Sequence, residues 1–332
     1  MKTKHQKTTF FPIVLLTLML ARSTCAWAVN PFGCDLFSAT VMSDTRFIIC
    51  GDQGRIFLSE DAGQTFRSVE SPTKLPLTGI CFPDDLHGWI VGQGGIVLHS
   101  EDGGLTWEAQ QSGVTTYLMA VDFTDNLNGC AVGANSTVIV TADGGKTWKP
   151  SPFTLTRDVG GEYNLFTVKI IKPKILCITG DMGRIFRSED FGHSWAEAIC
   201  PLYDETIGEG RTLYAIVDLA DSLMAIGIDG TLVISGDTGK TWKLKASASR
   251  EPEYFSLACA DDVIMAAGSG GNVLKTDDRG KTWQSIPVPE KIHRAWLSGI
   301  ALRKTASGTV TGVVVGQYGT VGIIQERNII WR

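Results

Sequence analysis

The most informative absence in this 332-residue chain is that of any long apolar run beyond residue 28. A helix that crosses a bilayer needs about 20 consecutive apolar residues, and no later stretch approaches that length. The chain also lacks a run of basic residues, and its formal net charge is −5. Nucleic-acid binding relies on Lys and Arg contacts to phosphate groups, so this composition argues against a nucleic-acid partner.

Two further absences concern cysteine chemistry and helices. No C-x-x-C motif occurs, and the seven cysteines after residue 28 are an odd number that cannot pair completely. Cys130 and Cys177 each lie three residues before a recurring glycine, and we expect both to be small apolar core residues. Cys34 and Cys200 lie outside the predicted strands, and export would permit a disulfide, although the sequence assigns neither a partner. No segment after residue 28 has a sustained helical period.

What the chain does contain is a repeated pattern, S/T-x-D-x-G-x-T/S-W/F, the Asp-box. Its six aspartates are Asp61, Asp102, Asp143, Asp190, Asp237 and Asp278. Successive aspartates are 41 or 47 residues apart, a period that marks an array of similar supersecondary units. A glycine stands ten residues before each aspartate, and Gly316 continues this series, with Trp331 at the position of the final tryptophan. The sequence therefore predicts seven repeats.

Each repeat is predicted to form four short strands, because β-branched and aromatic stretches alternate with Gly, Asn and Asp turns. Seven such units predict an all-β fold, a seven-bladed β-propeller with four antiparallel strands per blade. The Asp-box turns are placed between the third and fourth strands, where the aspartate accepts backbone hydrogen bonds and the tryptophan packs between sheets. Turn chemistry accounts for the repeated aspartates, so we expect no catalytic residues, no metal site and no cofactor.

Residues 1–28 are predicted to be a secretory signal peptide, and residues 29–332 a single propeller domain. Lys2, Lys4 and Lys7 precede an apolar core of 11 residues, and residues 26–28 form an Ala-Trp-Ala cleavage site. A lipoprotein reading through Cys25 is weaker, because the residues before it differ from those usual ahead of a lipidated cysteine. Cleavage would leave 26 of the 30 basic residues against 35 acidic residues. We therefore predict export to the periplasm with no transmembrane anchor after cleavage.

In such blades, the turn between the second and third strands and the connection to the next blade share one face, which we call the loop face. The Asp-box turns lie on the opposite face. Long, varied connections at 150–163, 201–211 and 287–296 favour the loop face for binding, although solvated polar loops are the alternative. Arginine and aromatic residues are frequent at interface hot spots. The candidate partner-binding residues here are Arg55, Arg157, Tyr163, Arg184, Arg211, Arg294 and Trp296.

The stretches 51–61 and 180–190 share the pattern G-x-x-G-x-I-x-x-S-x-D. In this pattern the chain resembles the photosystem II stability and assembly factor family, and the resemblance covers residues 29–332. It implies an exported, non-catalytic propeller that helps to assemble a membrane complex by binding a protein partner, in the thylakoid lumen if the host is photosynthetic. It also implies an arginine-rich surface patch, to which Arg55, Arg184 and Arg187 would belong.

Asp-boxes also occur in sialidases and other glycosidases, which supply an alternative from the enzyme class. A sialidase needs an arginine triad, a Tyr–Glu nucleophile pair and an acidic residue. The sequence has no F/Y-R-I-P motif, and the spacing of its loop-face arginines does not assemble a triad. A propeller that binds a small ligand or a glycan is a further alternative, because the fold alone does not determine the chemistry.

Overall fold

The computed structural model describes residues 32–153, 163–204, 209–245, 252–326 and 328–332. They form seven sheets, each of four antiparallel strands in chain order, around a central channel. The predicted seven-bladed β-propeller is thereby confirmed. Helical structure in these ranges is limited to single 3-10 turns, and none of it could span a membrane. The predicted signal peptide lies outside the described residues.

The strands are given blade by blade. Blades 1 and 2 contain Leu36–Val41, Phe47–Gly51, Ile56–Ser59 and Arg67–Val69, then Leu77–Cys81, Gly88–Gly92, Val97–Ser100 and Glu108–Gln110. Blades 3 and 4 contain Leu118–Phe123, Gly129–Gly133, Val138–Thr141 and Lys149–Pro150, then Leu165–Lys172, Ile175–Gly180, Ile185–Ser188 and Ala196–Glu197. Blades 5 and 6 contain Leu213–Asp218, Leu223–Gly227, Leu232–Ser235 and Lys243–Lys245, then Tyr254–Ala260, Val263–Gly268, Val273–Thr276 and Gln284–Ser285. Blade 7 contains Leu297–Lys304, Val310–Gly316, Thr320–Gln325 and Asn328–Trp331, and a small hairpin, Tyr203–Asp204 with Glu209–Gly210, precedes blade 5.

The first strand of every blade lines the central channel. In each of these strands the pairing with the second strand shifts by one residue immediately after the strand begins. Such β-bulges redirect side chains, and here the bulged residue of each blade lines the channel. These seven residues are Phe37, Thr78, Met119, Phe166, Tyr214, Phe255 and Ser298.

The Asp-box turns form one hydrogen-bond pattern, represented by blade 3. The Thr141 hydroxyl donates to Asp143 Oδ1 at 2.8 Å, and the Thr147 hydroxyl donates to Asp143 Oδ2 at 2.6 Å. The Thr147 amide donates to the same carboxylate at 2.9 Å, and the Gly145 amide donates to the Thr141 hydroxyl at 2.8 Å. The two hydroxyl contacts recur in the other five boxes. Each aspartate is therefore engaged within its own turn.

The ring closes where blade 7 packs against blade 1. The Ser298 hydroxyl donates to the Leu36 carbonyl at 2.9 Å, and the Ala306 amide donates to Asp44 at 3.1 Å. Apolar residues of both blades form one core cluster. Every blade consists of consecutive strands, so packing rather than an exchanged strand closes the ring. Trp331 lies in the last strand of blade 7, opposite Gly322, as the degenerate seventh repeat predicts.

The cysteines of the described chain are packing residues rather than cross-links. Cys130 and Cys177 are fully buried in clusters between blades, as expected. No disulfide joins any two of the described cysteines, so Cys34 and Cys200 are not bonded to each other. Burial raises the pKa of Cys34 to about 12 and that of Cys200 to about 11. Both sulfurs therefore stay protonated at neutral pH, which makes them poor nucleophiles.

Candidate binding face at the channel mouth

The loop face is organised by one backbone contact that repeats around the ring. The first amide of the turn between the second and third strands donates to the carbonyl of the residue that precedes the first strand. Examples are Asp52 to Asp35 at 2.9 Å and Asp181 to Asn164 at 3.0 Å. At Gly54 (φ +68°) in blade 1, an added Cβ would lie 2.1 Å from the Thr73 carbonyl oxygen. The turns are therefore held closely against the channel mouth.

Three of the predicted partner-binding arginines lie exposed near this face. Arg55 follows the turn of blade 1, Arg211 precedes the first strand of blade 5, and Arg294 lies in the connection between blades 6 and 7. Arg157 lies outside the described residues. These three exposed side chains come from different parts of the ring, and of them only Arg55 belongs to the arginine patch that the family resemblance implies.

Arg184 is not at the surface, contrary to the sequence prediction. Its side chain is 2% exposed and forms a two-point ion pair with Glu197, Nε to Oε1 at 2.8 Å and Nη2 to Oε2 at 2.6 Å. The guanidinium also lies over the rings of Phe186 and Tyr163, 5.1 and 5.6 Å from their centroids. Because Glu197 is on the fourth strand of the same blade, this cluster stabilises blade 4 from within.

Arg187 is also buried, and it lies toward the Asp-box face rather than the loop face. Its Nε donates to the Thr238 carbonyl at 2.7 Å, and its Nη1 donates to Glu189 at 2.5 Å. Thr238 belongs to the Asp-box of blade 5, so Arg187 joins two neighbouring blades. The structure therefore does not place Arg184 and Arg187 in an exposed patch with Arg55.

The two predicted aromatic contacts, Tyr163 and Trp296, are buried as well. Tyr163 is covered by Arg184, and its carbonyl accepts a hydrogen bond from the Ser136 amide at 2.6 Å. Trp296 stacks on Phe37 with ring centroids 5.7 Å apart and an angle of 18° between the planes. This stacking supports the contact between blades 7 and 1, so both aromatic residues pack inside the protein.

Aromatic residues do reach the channel mouth, but at positions other than the predicted Tyr163 and Trp296. Phe166, Tyr214 and Phe255 are bulged residues of adjacent blades and lie in edge-to-face contact. Each lies 13 or 14 residues before a recurring glycine of its repeat. That spacing is the sequence signal from which these positions could have been found. It does not by itself indicate that a bulge directs the side chains into the channel.

The inner rim of the loop face is acidic. Asp35, Asp52, Asp181, Asp229 and Glu253 all lie in the turns or immediately before the first strands. Burial raises the pKa of Asp35, Asp181 and Glu253, and the neighbouring Asp229 raises that of Glu253 further. Within the described ranges, no group of three or more His, Cys, Asp or Glu residues is suited to hold a metal ion. When ionised, these carboxylates make the inner rim electronegative.

Residues 105–216 match the sequence model of the family described as Photosynthesis system II assembly factor YCF48. The match runs from the Asp-box of blade 2 into the first strand of blade 5. It confirms, over this segment, the family resemblance seen in the repeat pattern. Comparison with curated proteins gives no significant sequence match.

Solved structures with this fold include two described as YCF48. YCF48 bound to a D1 peptide is 19% identical with a TM-score of 0.65, over 90% of this chain and 95% of that one. YCF48 from Cyanidioschyzon merolae is 19% identical with a TM-score of 0.67, over 90% and 97%. The WD40 β-propeller domain of Doa1 is 11% identical with a TM-score of 0.64, over 87% and 92%. Because all three identities are below 20%, these likenesses establish the fold alone.

Proposed function

We propose that this protein is a non-catalytic assembly factor of the YCF48 type, which binds a segment of a membrane-complex subunit on its loop face. The observation that carries the proposal is the match of residues 105–216 to the photosynthesis system II assembly factor family. The similar propeller solved with a D1 peptide supports a polypeptide as the kind of partner. A photosystem subunit is the partner expected in a photosynthetic host.

The distribution of variable residues supports the loop face as the docking surface. The Asp-box turns are nearly identical from blade to blade, and their carboxylates are engaged in internal hydrogen bonds. The loop face instead presents exposed Arg55, Arg211 and Arg294 around an acidic and aromatic channel mouth. Partner recognition needs side chains that differ from blade to blade, because an identical ring cannot select one orientation of a peptide.

A pull-down from detergent-solubilised membranes of the host tests this proposal. The double variant Arg55→Glu, Arg211→Glu should recover the partner about tenfold less well than the parent, because it reverses two exposed charges on the docking face. The matched control is Lys146→Glu, Lys281→Glu, which changes the net charge equally at exposed Asp-box positions and should bind normally. Equal recovery by the two double variants would place the partner elsewhere.

A glycoside screen separates this proposal from the enzyme alternative. An assembly factor should turn over none of the substrates. Hydrolysis of a glycoside that disappears when Glu253, a carboxylate of the channel mouth, is replaced by Gln would instead identify a glycosidase.

Export is part of the proposal, with the periplasm as destination, or the thylakoid lumen in a photosynthetic host. N-terminal sequencing of the mature protein should begin at Val29. A lipid on Cys25, or an intact N-terminus in the membrane fraction, would contradict cleavage after Ala28.

A further inference from the structure

The central channel contains a cavity of about 240 Å³ at the level of the bulged residues. Its lining is uneven around the ring. On blades 4 to 6, Phe166, Tyr214 and Phe255 form an aromatic wall, with successive ring centroids 5.0 and 5.5 Å apart. On blades 2 and 7 the corresponding residues are Thr78 and Ser298. Between these two, on blade 1, lies Phe37, which stacks on Trp296. Three adjacent rings therefore form a continuous aromatic surface only on blades 4 to 6 of the described cavity lining.

Backbone contacts place three carboxylates beside the aromatic wall. The Gly230 amide donates to the Pro252 carbonyl at 2.9 Å, so the turn that carries Asp229 packs against the segment that carries Glu253. Asp181 accepts the Asn164 amide at 2.9 Å, two residues before Phe166. The charges of all three carboxylates act on Tyr214, whose phenol pKa is raised first by burial and then by them.

None of these carboxylates is in direct contact with a cationic side chain of the described residues, although Asp181 accepts hydrogen bonds from the Asn164 amide and side chain. None of the ion pairs between described residues includes Asp181, Asp229 or Glu253. A cation held among them would favour their ionised forms, whereas an anion would be repelled. A purely apolar group would remove water from the carboxylates without replacing its hydrogen bonds. Aromatic faces add further attraction for ammonium and guanidinium groups.

We propose that the aromatic wall, together with Asp181, Asp229 and Glu253, is a receptor for a lysine or arginine side chain on the partner segment. The apolar stem of such a side chain packs along the rings, while its charged end reaches the carboxylates. This inference rests on the proposed function only for the source of the cation, a segment of a partner protein. The contact lies at the centre of the loop face, with the exposed Arg55, Arg211 and Arg294 around it.

Fluorescence anisotropy with designed peptides tests this receptor without knowledge of the natural partner. The probes are labelled peptides of equal length that repeat Gly-Ser-Xaa-Ser, where Xaa is lysine, norleucine or glutamate. The lysine peptide should bind at least about tenfold more tightly than the norleucine and glutamate peptides. Tightest binding of the norleucine or glutamate peptide would overturn the proposal.

Variants locate the binding site of the lysine peptide. Asp229→Asn with Glu253→Gln should weaken binding about tenfold, because two charged contacts are lost. Tyr214→Leu should weaken it about fivefold and Tyr214→Phe should not, because only the ring face is needed. The control pair Asp85→Asn, Glu101→Gln removes the same charge from exposed positions on the Asp-box face and should leave affinity unchanged. An equal loss in this control would show a diffuse charge effect and overturn the receptor.

Two further comparisons identify the carrier of the cation. n-Butylammonium has the same charged end as lysine but no polypeptide. If n-butylammonium binds as tightly as the lysine peptide, a protein segment is not the source of the cation. If the membrane pull-down succeeds while the lysine peptide fails to bind, this receptor is wrong and the proposed function stands. If the lysine peptide binds and no membrane partner is recovered, the receptor stands and the assembly role falls.

Discussion

The two faces of the propeller place aspartate in opposite electrostatic environments. On the Asp-box face, hydrogen bonds from the Thr65 hydroxyl and amide lower the pKa of Asp61 to about 2. At Asp237, burial alone would raise the pKa, but hydrogen bonds from Thr241 lower it to about 2. On the loop face, burial raises the pKa of Asp181 despite its hydrogen bonds with Asn164.

This difference separates structural carboxylates from those available to a ligand. An Asp-box aspartate uses its oxygens within its own turn, and the ionised form is therefore the stable one. On the loop face, burial makes ionisation of Asp35, Asp181 and Glu253 less favourable, and a bound cation would offset that cost. The same residue type thus closes a turn on one face and forms a candidate receptor on the other.

The largest effect is expected for Trp148→Ala on the structural side. Trp148 is buried, lies edge-to-face with Phe123, and donates to the Gln110 side chain at 3.2 Å. Its removal should lower the free energy of unfolding by about 3–5 kcal/mol, measured by urea denaturation. Among molecules that remain folded, lysine-peptide binding should be unchanged. A selective loss of binding at parental stability would contradict the division between the faces.

Glu197→Gln tests whether Arg184 is a structural residue despite its place near the loop face. The change removes the carboxylate that pairs with a buried guanidinium and should lower the free energy of unfolding by about 2–3 kcal/mol. The exposed Arg55→Gln is the comparison, and it should change stability by no more than about 0.5 kcal/mol. Equal, small effects would mean that the buried ion pair does not stabilise blade 4.

Neutral replacement of one carboxylate on each face shows whether the two carboxylates contribute differently to stability. Asp143→Asn leaves turn donors without their carboxylate and should cost about 1–3 kcal/mol of unfolding free energy. Glu253→Gln removes a charge from a crowded rim and should leave stability unchanged within about 0.5 kcal/mol, or slightly raised. Chemical denaturation of the two variants at neutral pH makes the comparison. A larger loss for Glu253→Gln than for Asp143→Asn would reverse the assignment.

The smallest effect is a pH dependence of stability. A carboxyl group with a lowered pKa in the folded state stabilises the fold above the unfolded-state pKa, about 3.9 for Asp. That contribution is lost as the pH falls toward the folded-state value, which is about 2 for Asp61 and Asp237. The raised pKa of Glu253 works in the opposite direction and gives some stability as the pH falls.

The free energy of unfolding should therefore be nearly constant from about pH 7 to 5 and fall below about pH 4. Glu253→Gln should make the acid-side fall slightly steeper, because it removes the opposing contribution. Denaturation midpoints measured between about pH 7 and pH 2 check both expectations. Stability that increases steadily from pH 4 to pH 2 would contradict the assignment of the Asp-box carboxylates.

The blade count was predictable from sequence because the Asp-box depends on local contacts. Its hydroxyl, carboxylate and amide groups lie within seven residues of one another in every box. Their chemistry can therefore be inferred without knowledge of the neighbouring blades. The period of the repeats then predicts the number of sheets, including the degenerate blade that ends near Trp331.

The exposure of the arginines was not predictable, because it depends on a residue of another strand. Arg55 and Arg184 follow identical G-x-x-G turns. In blade 4, Phe186 pairs with Glu197, which holds Arg184, whereas in blade 1 the corresponding Phe57 pairs with Ser68. A serine cannot supply the ion pair, and Arg55 is exposed. The aromatic wall likewise depends on bulges that the repeat pattern does not reveal.

Photo-crosslinking from one position on each face shows which face of the propeller binds the partner. Tyr318 on the loop face and Leu127 on the Asp-box face are exposed to similar extents, 42% and 48%, and each is replaced by benzoylphenylalanine. In solubilised host membranes, the probe at position 318 should capture a membrane-complex subunit, and the probe at position 127 should not. Capture of that subunit from position 127 alone, or equally from both positions, would contradict docking on the loop face.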